Sequence, residues 1–317
     1  MTSLKLTVAG IDDSIPAVRT LTLTRPGGAP LPSFTPGSHL VVECGGRGGP
    51  VNAYSLTGDA ITPAAYVISV LRADKPQDEP SGSRWIHDEL AVGDTVLARP
   101  PRSAFAPVLR ARRHLLVAAG IGITPMVSHL RGARLWGRDA RLFYLHRPGR
   151  GAYADVVGEL TEHAAIHTQR AAFVAELAAG LADQPLGTHL YICGPAAFID
   201  FVVTTATELG WPGSRIHLEH FGSAALDPGE PFTVRLSSTA EMFTVESGVS
   251  LLEALESRGI DVPNLCRQGV CGECRIPVSG GTVTHRDLFL SDDEKNAGDS
   301  MMACVSRAAN QSLELDL

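Results

Sequence analysis

The densest chemistry in the chain lies near its C-terminal end, at Cys266-Arg267-Gln268-Gly269-Val270-Cys271-Gly272-Glu273-Cys274, with a further cysteine at Cys304. The spacing C-x4-C-x2-C with a distant fourth thiol provides the four thiolates that a [2Fe–2S] cluster requires. Gly269 and Gly272 let the backbone turn sharply and bring amide N–H groups toward the cluster sulfurs. Zinc or structural thiols are the competing readings. Zinc ribbons pair two C-x2-C knuckles, and this chain has one such pair; a disulfide framework needs an oxidising compartment. Cys266, Cys271, Cys274 and Cys304 are therefore the expected metal ligands. A cluster that passes single electrons needs a source and a sink.

Two other stretches are candidates for the source. In Asn52-Ala53-Tyr54-Ser55-Leu56, a tyrosine followed by a serine is ordinary strand packing when taken alone. Paired with Ser81-Gly82-Ser83 at a helix start, the segment offers a ring to lie against an isoalloxazine and a hydroxyl to hydrogen-bond it, with backbone donors for a phosphate. Gly120-Ile121-Gly122-Ile123-Thr124-Pro125 follows a continuous apolar run. Its glycines let a backbone approach a pyrophosphate or relieve helix–strand crowding, and Pro125 suits a first helical turn in either case. The eleven histidines are read as forming no metal constellation, and no Gly-x-Ser-x-Gly elbow is present. A substrate-oxidising metal is accordingly expected on another protein.

These residues have to be positioned by more than one core. At 317 residues two or three domains are expected. The net charge of −7 disfavours a nucleic-acid binder. No basic start and long apolar run of a secretory signal opens the chain, and the apolar window Leu115 to Val127 is too short and too broken by Gly120, Gly122 and Pro125 to span a membrane. Cys44 and Cys193 are expected to be free thiols, and a reducing cytoplasm is the expected setting.

Residues 1–108 read as β-rich, with short apolar runs at Lys5–Val8, Val18–Thr24, His39–Glu43, Ala53–Thr57, Tyr66–Leu71 and Thr95–Ala98 and one helix over Ser83–Leu90. Such spacing predicts a small antiparallel barrel. From 109 to 225 strand and helix alternate: strands at His114–Ala119, Arg141–His146, His189–Cys193 and Arg215–Glu219, helices to about Leu135 and over Ala196–Leu209. That pattern predicts a Rossmann-like α/β domain. A linker near Gly222 to Glu230 leads into 226–317, where Phe232–Leu236 and Met242–Val245 suggest a hairpin, and Ile276–Val278 and Ser312–Leu315 further strands. Ser250 and Ser291, each followed by a glutamate three residues on, predict capping boxes.

On these motifs, in this order, nearly the whole chain resembles the phthalate dioxygenase reductase type of the ferredoxin–NADP reductase superfamily. The resemblance implies a flavin barrel, an NAD domain and a β-grasp ferredoxin domain. It gives Tyr54 and Ser55 the isoalloxazine roles of the family's R-x-Y-S motif, with Asn52 standing where the family has an arginine that contacts the flavin phosphate. Arg84, Arg47 or the backbone at Gly82 and Ser83 are the alternative anchors. Gly120, Gly122 and Thr124 match the nicotinamide loop G-x-G-x-T-P. Cys193-Gly194-Pro195 matches the turn beside the nicotinamide, where Cys193 is either a buried thiol or a kinetic residue. Glu219 and Phe221 match the family's E-x-F and would border the flavin and nicotinamide. Arg147 and Arg150 either meet the adenosine end or are solvated. The implied reaction passes electrons from NADH through FMN, in preference to FAD, and the cluster to a Rieske-type terminal oxygenase, with Ser55, Thr124, Cys193 and Glu219 near the reacting atoms. A cytochrome P450 or other haem monooxygenase is the alternative acceptor, and a redox-sensing or electron-carrier module the alternative class.

Overall fold

The computed structural model describes residues 3–46, 49–73, 81–103, 105–221, 229–264, 269, 272–287 and 289–317. It divides into two compact units, Met1–Phe221 and Gly222–Leu317. The first contains an antiparallel barrel followed by a parallel α/β sheet. The second is a mixed sheet with short helices. No helix among the described residues is long and apolar enough to cross a membrane.

The barrel is built from β1 (Leu4–Ile15), β2 (Val18–Thr24), β3 (Ser38–Glu43), β4 (Val51–Ser55), β5 (Tyr66–Leu71), β6 (Thr95–Ala98) and β7 (Arg102–Ser103), with α1 (Gly82–Asp88) between β5 and β6. The strands pair in the order β4-β3-β6-β1-β2-β5, with β7 on β3. A bridge between Leu56 and Ile68 joins the two outer strands and closes the barrel. Alternation sets the inside: Leu6, Val8, Leu21, Leu23, Leu40 and Ile68 are buried to 1% exposure or less, each contributing about 1.5–3 kcal/mol of burial.

The parallel sheet holds β8 (Arg113–Ala119), β9 (Ala140–Leu145), β10 (Ala164–His167), β11 (Thr188–Gly194) and β12 (Ile216–His220), ordered β10-β9-β8-β11-β12. Helices α2 (Ile123–Leu135), α3 (Ala154–Leu160), α4 (Arg170–Ala182) and α5 (Ala196–Glu208) connect them. Between β9 and β11 the sequence reading places nothing, whereas the structure has α3, β10 and α4. Ala164-Ala165-Ile166-His167 is an edge strand only partly buried, so it lacks the apolar run that marks β8. The strand order reverses between β8 and β11. In open α/β sheets ligands bind at that point, beyond the strands' C-terminal ends.

The second unit has β13 (Phe232–Leu236), β14 (Met242–Val245), α6 (Leu251–Glu256), β15 (Arg275–Thr284), α7 (Asp292–Ala297), β16 (Ser300–Met302) and β17 (Arg307–Leu315). The sheet order is β14-β13-β17-β15-β16, with β13 and β17 parallel in a β-grasp arrangement. Both predicted capping boxes are formed, Ser250 with Glu253 and Ser291 with Glu294. The strand expected over Ile276–Val278 runs on to Thr284. Ser279-Gly280-Gly281 breaks the apolar alternation there, and the ladder absorbs it in two register shifts.

Candidate functional site

Strand β4 carries the first group of site residues. Its register with β3 pairs Asn52 with Val42, Tyr54 with Leu40 and Ser55 with His39. Asn52 and Tyr54 therefore share one face and Ser55 takes the other. Tyr54 packs on the barrel core beside Cys44, whose thiol burial pushes up to about 11. Burial, and after it the adjacent Cys44 thiol, raises the Tyr54 phenol; beyond that thiol its hydroxyl has no hydrogen-bond partner among the described residues. Asn52 lies over the start of α1: a Cβ at Gly82 would come within 2.5 Å of the Asn52 amide oxygen and 2.8 Å of Cys44 Sγ. Asn52 and Gly82, distant in sequence, are thus brought together. Ala53, between them on the strand, is exposed. Ser81 caps α1 by accepting from the Arg84 N–H, and Ser83 Oγ accepts from the Ala73 N–H at 3.0 Å. Arg47 lies outside the described residues.

The second group sits where the parallel sheet reverses. Gly120-Ile121-Gly122 makes a tight 3-10 turn out of β8, with Gly120 at φ 55°. Thr124, buried in the first turn of α2, donates from Oγ1 to the Ile121 carbonyl at 3.0 Å and fastens the turn. At the end of β11, a Cβ on Gly122 would lie 2.3 Å from the Cys193 carbonyl oxygen, and one on Gly194 would lie 3.1 Å from Ala119 Cβ. Pro195 then caps α5 from an exposed position. Cys193 contributes backbone to this crossing. Its thiol has no exposed surface, belongs to the domain core, and is held well above its ordinary value by burial.

Glu219 is the register partner of Cys193 on β12. Its carboxyl is 5% exposed and burial pushes it up to about 8, against a smaller pull downward from the nearby Ser55 hydroxyl. Among the described residues, Glu219 Oε2 and Ser55 Oγ are nevertheless both buried without a hydrogen-bond partner, as is His220 Nε2. Phe221 packs at the edge of the same core. Arg147 and Arg150 are exposed in the turn after β9. His163 and His167, spaced His-x-x-x-His, flank β10. At about 13 Å between such positions along a strand they cannot share an ion, and His167 faces Glu176 at 3.0 Å.

Buried polar atoms are paired as a rule. The Ser55 and Glu219 oxygens, unpaired among the described residues and contributed by both parts of the first unit, leave buried polar capacity of the kind a flavin ring or a nicotinamide can take up.

Hydroxyl pairings that no motif announces join the same two parts through Tyr153 and brace each part internally. Tyr153 OH lies 2.9 Å from Thr57 Oγ1 and 2.7 Å from Ser69 Oγ, and Ser69 Oγ lies 2.7 Å from Thr20 Oγ1. Tyr144 OH is 3.2 Å from both the Gly120 and Ala152 carbonyls. Apart from Tyr144 and Ala152, the partners are far apart in sequence, so no local pattern points to them.

In the second unit, the β15–β16 ladder continues as a hydrogen bond from the Ala303 N–H to the Cys274 carbonyl at 3.0 Å, bringing Cys274 next to Cys304. Both cysteines are buried in the core of the sheet. Cys266 and Cys271 lie outside the described residues, as do Arg267, Gln268 and Val270. Gly269 and Gly272 have φ of 74° and 83°, as a sharply turned cluster loop demands. Two buried thiols from adjacent strand ends beside such a loop fit a thiolate-ligated cluster.

Residues 234–309 match the model of the 2Fe-2S iron-sulfur cluster binding domain, and residues 94–216 that of the dimethylamine monooxygenase subunit DmmA-like N-terminal domain. The chain is 39% identical to the heme-dependent oxidative N-demethylase beta subunit of Ectopseudomonas mendocina, over 100% of this chain and 99% of that one. It resembles the solved structure of phthalate dioxygenase reductase, described as a modular structure for electron transfer from pyridine nucleotides to [2Fe–2S], with 36% identity and a TM-score of 0.65 over 99% of this chain and 98% of that one. An intact type IV self-sufficient cytochrome P450 monooxygenase aligns with 33% identity and a TM-score of 0.71. There 99% of this chain spans 41% of the P450 chain.

Proposed function

This chain belongs to the phthalate dioxygenase reductase type of the ferredoxin–NADP reductase superfamily, and from that premise we propose that its electron acceptor is a Rieske-type terminal oxygenase. As a member it is an NADH-dependent, flavin- and [2Fe–2S]-dependent oxidoreductase that delivers electrons to an oxygenase partner. The observation that supports the Rieske reading is the likeness to phthalate dioxygenase reductase, which runs through nearly all of both chains. The flavin is FMN, residues 1–108 form the flavin segment, 109–225 the NAD segment and 226–317 the cluster segment, and the cytoplasm is the setting.

When bound, the flavin supplies the conversion between a two-electron hydride and single electrons. The chain's own residues align the reactants. Gly120 and Gly122 let the loop backbone come close to the dinucleotide, and Thr124 fixes the loop's shape. Tyr54 and Ser55 offer a ring and a hydroxyl to the flavin from β4. Glu219, with a carboxyl near 8, keeps its proton at neutral pH and so presents an O–H donor beside Ser55. Cys193 and Gly194 set the floor of the site with their backbone, and Phe221 borders it. Asn52 and Gly82 with Ser83 lie at the phosphate end, and Arg147 at the adenosine end. Cys266, Cys271, Cys274 and Cys304 hold the cluster.

A second reading has its own observation: the relative matched at 39% identity is a heme-dependent demethylase subunit. Its acceptor would be a haem oxygenase. Adding NADH to the pure protein is expected to bleach both the flavin and the cluster absorption. Coupled turnover is then expected with a purified Rieske oxygenase. Turnover with a haem oxygenase but with no Rieske oxygenase would move the acceptor to the second reading, and failure of both chromophores to bleach would overturn the reductase itself.

A further inference from the structure

Tyr153 stands at the N-terminal boundary of α3 with φ 58°, a left-handed conformation that a tyrosine rarely adopts. Its hydroxyl is the crossing point between the parallel-sheet part of the first unit and the barrel. The direction of each hydrogen bond follows from the end of the series. Thr57 Oγ1 donates to the Val67 carbonyl at 3.2 Å, which commits its only proton. Thr57 must then accept from Tyr153 OH at 2.9 Å, Tyr153 must accept from Ser69 at 2.7 Å, and Ser69 must accept from Thr20 at 2.7 Å. Every proton has one destination.

Two adjacent members of this series, Thr57 and Tyr153, reach toward the proposed reaction centre. Thr57 is two residues beyond Ser55, and its N–H donates to Val67 at 2.9 Å just past the Leu56–Ile68 bridge. On the other side, Tyr153 follows Ala152, whose carbonyl shares the Tyr144 hydroxyl with Gly120 of the dinucleotide turn. The single Tyr144 proton therefore ties the Gly120 turn to the segment that enters α3. The two tyrosines form one connection from the turn that would carry the nicotinamide cofactor to the strand end that would carry the flavin.

We propose that Tyr153 is a positioning residue for hydride transfer: its hydroxyl holds the end of β4 at a fixed distance from the Gly120–Gly122 turn. The idea rests on the reading of Ser55 and Gly120–Gly122 given under the proposed function. Misplacement of reacting atoms by about 1 Å is enough to slow a reaction by about 10²-fold, so loss of a hydroxyl that fixes their separation is felt in the rate more than in binding.

The test is stopped-flow bleaching of the flavin by NADH in the full-length holoprotein. Tyr153→Phe keeps the ring and removes the hydroxyl, and Thr57→Val removes its acceptor without a change of shape. Each is expected to slow bleaching per bound flavin by about tenfold, with the NADH dissociation constant changed by no more than about twofold. NADH deuterated at C4 should show an isotope effect at least as large as in the unmodified protein, because the slowed step is the hydride step. Tyr153→Phe combined with Ser69→Ala should be no slower than Tyr153→Phe alone, since both interrupt one series. Unchanged bleaching per bound flavin in both single variants overturns the proposal, as does a loss accounted for by lost flavin or lowered melting temperature. If the unmodified protein does not bleach with NADH, the reductase reading fails and this inference falls with it.

Discussion

Gly122 and the carbonyl of Cys193 touch backbone to backbone across the switch point of the parallel sheet, so closely that any Cβ at 122 would stand 2.3 Å from the Cys193 oxygen. Neither side can yield as a flexible side chain would. Gly122→Ala is therefore expected to push the Gly120–Gly122 turn away from β11, at about 1–3 kcal/mol of stability, and to slow NADH-dependent flavin bleaching by about 10²-fold. Gly120 makes the useful contrast, because a Cβ there meets nothing within 4 Å among the described residues, and only the φ of 55° would strain a side chain. Gly120→Ala should cost about 1 kcal/mol and leave bleaching much faster than in Gly122→Ala. Equal rates in the two variants would remove the contact from the account.

Glu219 sets a pH dependence of known sign. Its carboxyl lies near 8 in the folded protein, against 4.5 for an ordinary glutamate, and burial is the main cause. Below pH 4.5 folded and unfolded chains both hold the proton. Between 4.5 and 8 only the unfolded chain releases it, so stability falls as pH rises, by a ceiling of about 4 to 5 kcal/mol over the whole interval. Glu219→Gln, which cannot titrate, should melt increasingly above the unmodified flavin-free protein as pH goes from 5 to 8. Parallel melting curves across that range would show that the carboxyl is not held neutral.

Buried histidines impose the opposite trend on the same unit. His129 is lowered to about 3 and His217 to about 4, burial being the first cause in each. His129 Nε2 donates to the Phe105 carbonyl at 2.8 Å, while His217 Nε2 lies 2.9 Å from His189 Nδ1 and its ring stacks on Tyr191 at 4.5 Å. As pH falls below 6.5 the unfolded chain gains protons that these rings refuse. Stability then drops at up to about 1.4 kcal/mol per pH unit for each ring. Calorimetric melting between pH 6.5 and 4 should show the decline, and a His129→Gln, His217→Gln double variant should flatten it. An unchanged slope in that variant would assign acid lability to other groups.

What could be read from the chain before folding follows from the range of each interaction. The cysteine spacing, the Gly-x-Gly turn and the two capping boxes are local, and their geometry is written within a few residues. The barrel strands were legible because one buried face enforces alternation. Strand β10 was not, because Ala164-Ala165-Ile166-His167 packs weakly at a sheet edge. Tyr153 was invisible for another reason: its partners Thr57 and Ser69 come from the other part of the first unit, and a tyrosine before a helix has no recognisable spacing to either. The burial of the Cys193 thiol was likewise a tertiary fact, since the motif Cys193-Gly194-Pro195 reads the same whichever way the side chain turns.

The cysteines divide into two chemical groups, and substitution should separate them. Cys44 and Cys193 are buried free thiols held in their protonated form, each in an apolar core of the first unit. Cys274 and Cys304 end adjacent strands in the second unit. Cys274→Ser or Cys304→Ser should abolish the cluster's broad visible absorption. NADH should still bleach the flavin in those variants, while reduction of cytochrome c through the cluster should fall by about 10²-fold or more, because the one-electron outlet is missing. Cys44→Ser and Cys193→Ser should retain the cluster spectrum, their cost appearing as about 1–3 kcal/mol of lost stability from a hydroxyl placed in an apolar site. Iron and acid-labile sulfide assays decide between the groups: full cluster content in Cys274→Ser, or its loss in Cys44→Ser, would refute the assignment of ligands.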